Sequence, residues 1–410
     1  MFDKKRDGVA SVYIVYWSLR DPLCQTQSLA YLRKLAARGY RFALITFEQT
    51  QYALDRRQAE AMKQELVEQG IYWYPLRYHK RFSLLATAFD CVCGIIMGAY
   101  VAVRHKARVV HSRASIPAAM ALVLARLWGL KFLYDADSAL SEEYADIGHW
   151  RRDGLAYKTT ARLESAARTS AQSVIVLTEQ LRQDFINEYK VRAPVTVIPC
   201  CVDTNKFRFN ADARARRRSE LELGDEKLFI YVGKIGSWYL VDETFEFFKA
   251  AQERIGNARL LVLTSDAPEI FHQLAARYGI SQRDYHVKRA AHEEVPEWLS
   301  ASDVGLAFIR SVSSKRGSSP IKTGEYLSIG LPVVITSGIG DYSSWIEREQ
   351  LGAVIDSLTV EAYRAAADKL LLLWGEGARL RERCRKAAEA HVSLDDVGLG
   401  NYQAVYERLL

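Results

Sequence analysis

The sequence predicts an α/β protein made of two doubly wound halves, each a mainly parallel sheet with helices on both faces. Three observations carry that expectation. Short apolar runs alternate with longer amphipathic runs through the first half, the pattern of βαβ crossovers. The alternation stops in a polar, arginine-rich stretch around 203–218 and then restarts. A chain of 410 residues is also too long for one ordinary core, so two domains are expected.

Taken in order, the first half offers strands at Ser11–Trp17, Arg41–Phe47, Ile71–Leu76, Val109–His111, Phe132–Tyr134, Val174–Leu177 and Val195–Ile198. Helical periodicity fills Thr26–Arg38, closed by Gly39, and Gln51–Gln69, closed by Gly70. It returns in a run ending at Trp128, at Leu155–Thr169 and at Glu179–Tyr189. The segment Leu84–Val103 has Asp90 as its only charge and approaches the length of a membrane span. Asp90, Gly94 and Gly98 interrupt it and strands flank it, so it is expected as a buried helix, apolar all round.

The second half offers strands at Leu228–Val232, Arg259–Leu263, Tyr285–Val287, Val304–Phe308, Val333–Ile335 and Val354–Ile355. Helices are expected at Glu243–Arg254, Pro268–Tyr278 and Val295–Ser300, through much of Val360 to Ala390, and at Asn401–Leu410. The domains are therefore placed at 1–206 and 207–390. A helical segment, 391–410, is expected to pack back on the first. Ligands are expected at the carboxyl ends of the strands, in the cleft between the halves. Arg214, Arg216, Arg217 and Arg218 read as a solvated face.

Composition narrows the function. Hydrophobic residues make up 49% and charged residues 26%, as in soluble globular proteins. A formal charge of +7 suits an anionic small ligand or an acidic membrane surface. No aromatic-rich RNA signature or zinc-finger spacing points to nucleic acid. The six cysteines lack a disulfide framework and suit a reducing compartment. The charged start MFDKKRDG leads into a strand, so no secretory signal is expected. Localisation is expected to be cytoplasmic, peripheral at the inner face of the cell membrane.

The chemistry centres on Ser318–Thr336, SSPIKTGEYLSIGLPVVIT. Pro320 suits a helix start, Gly330 a left-handed C-cap, and Pro332 precedes a short buried strand. Lys322 and Glu325 lie one turn apart near the helix N-terminus. A Lys with free N–H groups suits a phosphate, and the carboxylate can accept from two neighbouring hydroxyls, as on a ribose. The alternative is an exposed i,i+3 ion pair. Gly233-Lys234-Ile235-Gly236-Ser237 follows the first strand of the second half. It lacks Walker spacing, but its glycines permit close approach of a ligand and Lys234 adds charge.

The stretches PIKTGEYLSIGLPVVIT and YVGKIGSWYLVDETFEFF resemble the donor site of GT-B, family-4-type retaining glycosyltransferases. VTVIPCCVDTNKF resembles the segment that closes their first domain, ASDVGLAFI the strand before the signature, and VVHSRASIPAAMA a first-domain segment of bacterial members. The resemblance implies that Glu325 holds the donor ribose and that Lys322 faces phosphate or sugar. Gly233, Lys234 and Ser237 would form the diphosphate turn. Leu327 would pack beside the nucleoside, backbone around Val287–Arg289 would hold the base, and His111 would lie near the transferred sugar. The catalytic set so implied is His111, Lys234 and Lys322.

One position departs from the pattern. The first Glu of the family's Glu-x7-Glu is replaced by Gly317. Ser318 and Ser319 stand beside it, and Lys315 or Arg316 is a candidate for the leaving phosphate, against plain surface charge. The family's first Gly-rich turn is also missing, leaving backbone N–H groups of Gln25, Thr26 and Gln27 as candidates. Asp135 and Asp137 suit acid/base work or a divalent metal and, as the blander reading, helix capping. Glu142 and Glu143 are candidates to face an acceptor. His149 has no partner at metal-ligand spacing. His272, His286 and His292 read as surface or core residues.

The resemblance implies transfer of a sugar from a nucleoside-diphosphate donor to a polysaccharide, lipid-linked or other cell-envelope acceptor. Retention is implied, with no metal and no cofactor. Tyr72–Phe82 interleaves aromatic and basic residues, as suits an anionic membrane surface or a lipid-linked acceptor; a strand with snorkelling side chains is the alternative. Two other functions share the fold: a nucleotide-sugar epimerase, which needs an acid/base pair, and a non-catalytic nucleotide-sugar-binding subunit.

Overall fold

In the computed structural model, which describes residues 8–79, 83–236 and 238–410, the alternating runs become two parallel sheets. The first contains β1 (Ser11–Ile14), β2 (Phe42–Glu48), β3 (Ile71–Arg77), β4 (Val109–Arg113), β5 (Lys131–Ala136), β6 (Ser173–Val176) and β7 (Val195–Val197). Its order is β3-β2-β1-β4-β5-β6-β7. The second contains β8 (Lys227–Val232), β9 (Ala258–Leu263), β10 (Tyr285–Lys288), β11 (Val304–Ala307), β12 (Val333–Thr336) and β13 (Gly352–Ile355). Its order is β10-β9-β8-β11-β12-β13. The strand order reverses between β1 and β4 and between β8 and β11. These are the switch points where a doubly wound sheet leaves a crevice beyond its carboxyl ends.

The chain divides into two compact units. One comprises residues up to Pro199 together with Gly398–Leu410, the other Cys200–Val397. The sequence boundaries at 206 and 391 thus fall inside the second unit, because its ends pair with each other. The Val202 N–H donates to Val392 O at 2.8 Å, and the Leu394 N–H donates to Val202 O at 2.9 Å. The helix Leu399–Leu409 belongs to the first unit. There Tyr402 and Tyr406 are buried, their hydroxyls bonded to Asp135 and Ser11.

Several expectations need correction. The first helix starts at Pro22, capped by Asp21. The Gln25 N–H is already spent on Asp21 O at 2.9 Å, and Gln25–Leu29 form a π-helical turn. The Gln25 N–H is therefore not free for the cradle expected at Gln25, Thr26 and Gln27. Helices Leu140–Asp146 and Tyr342–Arg348 are too short to show a clear period in sequence. The Arg run is not a solvated face throughout. Within the helix Ala211–Glu220, Arg214 donates to the carbonyls of Ser300, Ala301 and Ser302, and both Arg214 and Arg218 pair with Asp303. These contacts tie the helix to the end of Val295–Ala301 and the start of β11, where last-turn carbonyls lack partners. In the Tyr72–Phe82 segment, Ile71–Arg77 is β3, Trp73 is buried with its indole N–H on Thr46 Oγ1 at 2.7 Å, and the Tyr74 hydroxyl meets His105 Nε2 at 2.6 Å. Lys80, Arg81 and Phe82 lie outside the described residues.

The largest departure is the helix Ser83–Arg104. Its Ala86, Asp90, Gly94 and Gly98 face the protein, but Leu85, Ile96 and Val103 are 76%, 66% and 68% exposed. A helix that is apolar all round was expected to be covered all round. Here one face packs on the helix Ser115–Trp128 and the sheet, and no described element covers the other.

Candidate functional site

In the second unit the switch point gathers three pieces of chain. β8 ends in the turn Gly233-Lys234, the loop after β11 carries Lys315 to Pro320, and the helix Ile321–Ile329 follows. Glycines allow the approach. A Cβ on Gly305 would lie 2.3 Å from the Tyr326 ring, and one on Gly324 would lie 2.8 Å from the Tyr342 hydroxyl and 2.9 Å from Val202. The helix therefore sits close against β11 and the 200–202 segment. Gly330 ends it at φ +87°, its N–H on Leu327 O at 2.9 Å, the cap expected from its sequence.

The helix does not open to solvent. Lys322 and Glu325 are each 6% exposed, so the exposed ion-pair alternative fails. Lys322 Nζ donates to Val232 O at 3.2 Å and lies 3.8 Å from the Tyr239 ring centroid and 4.7 Å from that of Tyr231. Burial lowers its ammonium from the usual 10.5 to about 7, opposed by Glu325. Burial raises the Glu325 carboxyl to about 7, opposed by Lys206 and Lys322. Among the described residues Glu325 has no hydrogen-bond or ion-pair partner.

Gly233 is the neighbour that completes this corner. Its φ is +145°, and a Cβ there would lie 3.3 Å from Lys322 Nζ. The Tyr231 hydroxyl holds the turn through Lys234 O at 2.9 Å. The Lys234 side chain is exposed and without an ion pair among the described residues. Lys315 is buried, its Nζ 3.8 Å from the Trp238 ring centroid. Val287 is half-buried on β10. Ser319 is buried, its hydroxyl accepting from Cys200 N–H at 3.1 Å, and Ser318 is half-buried beside it. Ser237 lies outside the described residues.

Two expected site residues are buried within their own units. Leu327 is 2% exposed and packs in the core with Leu331 and Val333, because the helix turns that position inward. His111 is 0% exposed inside the first unit. Its Nδ1 is 2.7 Å from the Tyr406 hydroxyl, its Nε2 3.8 Å from Asp135 Oδ2, and its ring is 4.2 Å from that of Tyr13. Burial lowers its pKa, opposed by Asp135. Asp135 caps no helix: it lies within β5 and accepts from Arg113 at 2.6 Å and from Tyr402 at 2.5 Å. Sequence reading also missed Tyr231, Trp238 and Tyr239, although the Trp-Tyr pair directly after the Gly-Lys turn was the available signal.

The first unit's switch point has its own open valences. Gln27, Ser112 and Asp137 each keep a buried side-chain atom without a hydrogen-bond partner. Burial raises the Asp137 carboxyl to about 7. Ala114, just after β4, adopts φ +72°, a conformation that costs a non-glycine about 1–3 kcal/mol and collects at functional sites. Glu142 is engaged at the surface by Arg152 and Tyr157. Among the described residues no three His, Cys, Asp or Glu side chains converge as a metal site would require.

Residues 24–201 match the family described as glycosyl transferase 4-like domain, and residues 212–391 match glycosyl transferases group 1. The chain belongs to the GT4-type glycosyltransferases. A GDP-mannose-dependent alpha-(1-6)-phosphatidylinositol monomannoside mannosyltransferase of Mycolicibacterium smegmatis is 23% identical over 208 residues, 49% of this chain and 53% of that protein. The chain thus matches about half the length of that relative. Sucrose-phosphate synthase from Thermosynechococcus elongatus shares the fold with TM-score 0.72 and 16% identity, over 97% of this chain and 98% of that one. Anabaena Alr3699/HepE in complex with UDP-glucose does so with TM-score 0.71 and 13% identity, over 97% and 99%. This glycosyltransferase therefore has the GT-B architecture of two Rossmann-like domains.

Proposed function

We propose that the protein transfers a sugar, with retention of anomeric configuration, from a nucleoside-diphosphate donor to a glycan or lipid-linked acceptor of the cell envelope. The supporting observation is Glu325: a buried carboxylate without a partner, next to Lys322 and the Gly233-Lys234 turn at a sheet switch point. An unpaired buried carboxylate is costly and is relieved by two adjacent hydroxyls that donate to it, as a ribose offers. Lys322 and Lys234 then face the diphosphate, in line with relatives whose names carry GDP-mannose and UDP-glucose.

The chemistry needs charge at the leaving group. The bond from the anomeric carbon to the phosphate oxygen breaks, the bond to the acceptor oxygen forms on the same face, and the acceptor proton passes to the departing phosphate. Lys234, Lys322 and Lys315 stabilise the negative charge that develops there, the role a divalent cation fills elsewhere, so the reaction is proposed to be metal-independent. The acceptor docks on the first unit, where Gln27, Ser112 and Asp137 keep unpaired polar atoms. The proposed location is the cytoplasmic side of the cell membrane.

The test is thermal shift with UDP, GDP and ADP, followed by transfer assays with the sugar donor of the preferred base. Stabilisation by one nucleotide, lost in Glu325→Ala, is expected. No shift with any nucleotide would overturn the donor site. Conversion of the donor to an isomer without acceptor would point instead to epimerisation.

A further inference from the structure

The helix Ser83–Arg104 carries a surface that the transfer reaction does not use. Leu85, Phe89, Val92, Ile96, Tyr100 and Val103 are all exposed, and their three- and four-residue spacing puts them on one face. From Leu85 to Val103 that stripe runs about 27 Å at 1.5 Å per residue. Single exposed apolar residues are ordinary, but a contiguous stripe of this length marks an interaction surface. The neighbouring helix Ser115–Trp128 extends it with exposed Leu127 and Trp128. Trp128, Tyr100, Val103 and Arg104 line a shallow depression between the two helix ends.

We propose that this face seats the protein on an anionic lipid bilayer, with the Ser83–Arg104 helix lying in the interface and not crossing it. Length and composition alone would allow crossing, but the opposite face is tied into the fold. A Cβ on Gly94 would lie 2.5 Å from Met120 Sδ, and one on Gly98 would lie 2.6 Å from Leu124. Asp90, fully buried, accepts from the Tyr16 hydroxyl at 2.7 Å and from the His79 N–H at 3.1 Å. Extracting the helix would break these contacts and present that carboxylate to hydrocarbon.

Charge selects the partner. Asp90 is the only carboxylate in the two helices, and it points inward. Arg104, Lys106, Arg108 and Arg126 are exposed at their carboxyl-terminal ends. Apolar side chains edged by Tyr, Trp and Arg are what a headgroup region accommodates, and anionic lipid adds attraction to each basic residue. A second copy docked on the same face would bring only further arginines to that edge. The surface lies on the first unit and the donor residues on the second, so this inference stands apart from the donor reading.

The experiment is flotation of the full chain with phosphatidylcholine vesicles, with and without phosphatidylglycerol, alongside Leu85→Gln/Ile96→Gln and Arg104→Glu/Arg126→Glu. The chain is expected to float with the anionic vesicles. The apolar double variant should lose at least about tenfold in binding, as two apolar side chains no longer leave water. The charge variant should lose the preference for phosphatidylglycerol. Unchanged melting temperature and nucleotide binding would show that both variants fold. Absence of flotation with either vesicle, or equal flotation of the apolar variant, would overturn the proposal. So would a dimer in solution that the apolar variant dissociates while vesicles bind nothing.

Discussion

Lys322 and Glu325 stand one turn apart on a single helix and do not pair. The Lys322 ammonium turns to the Val232 carbonyl at 3.2 Å, and the Glu325 carboxylate has no partner among the described residues. Both are buried, and both are shifted to about 7 from opposite directions. Two buried groups that attract each other without a direct contact form a site held ready for a ligand that brings both partners.

Nucleotide affinity should therefore peak near neutral pH. Binding needs Lys322 protonated, which fails as pH rises above about 7, and Glu325 ionised, which fails as pH falls below about 7. Each limb should fall up to about tenfold per pH unit. Lys322→Arg should flatten the alkaline limb and Glu325→Gln the acid limb. Calorimetric titration of the nucleoside diphosphate from pH 5.5 to 8.5, on the order of 1.5 units each side of neutrality, checks this.

Glu325→Gln should stabilise the unliganded protein while impairing it. The folded carboxyl titrates at about 7 against 4.5 for the ordinary group. Burial thus costs stability that grows as pH rises from 4.5 to about 7 and is constant above. The gain in the variant should be absent below pH 4.5 and reach ~1–3 kcal/mol at pH 8. Denaturant melts at the two pH values read it, and transfer activity should drop about 100-fold or more from two lost charge-assisted bonds.

Gly324→Ala should destabilise by about 1–3 kcal/mol, because its Cβ would meet the Tyr342 hydroxyl at 2.8 Å and Val202 at 2.9 Å. Gly233→Ala should act differently. Its neighbour is the Lys322 ammonium of the donor site at 3.3 Å and its φ is +145°, so nucleotide affinity should fall more than melting temperature.

Asp135→Ala should unfold the first unit before it affects donor binding. It leaves the Arg113 guanidinium buried without its carboxylate partner, a loss of about 3–5 kcal/mol. A lowered melting temperature with an unchanged nucleotide-induced shift in the remaining folded protein is expected.

Much of this was legible in the sequence, for identifiable reasons. Parallel strands buried on both faces, such as Phe42–Glu48 and Val333–Thr336, read as continuous apolar runs, and Gly330 with Pro332 punctuates the donor helix. What stayed hidden depended on neighbours distant in the chain. The burial of Lys322 and Glu325 stayed hidden because nothing local shows that Tyr231, Tyr239 and the 200–202 segment enclose them. The burial of His111 stayed hidden because Tyr406, nearly three hundred residues later, occupies its Nδ1. The Ser83–Arg104 helix looked internal because composition counts apolar residues without saying which neighbours are present.

The helix Leu399–Leu409 has a consequence for the order of assembly. The Ser11 hydroxyl reaches Tyr406 across 395 positions of sequence, and Asp135 reaches Tyr402 across 267. During synthesis the amino-terminal unit emerges first, yet its polar centre lacks these tyrosines until the Leu399–Leu409 helix has left the ribosome. Domains usually mature in the order they are made. Here the second domain can finish before the first, and a nascent chain stalled before Leu399 would leave the Asp135 carboxylate and the Ser11 hydroxyl without their tyrosine partners.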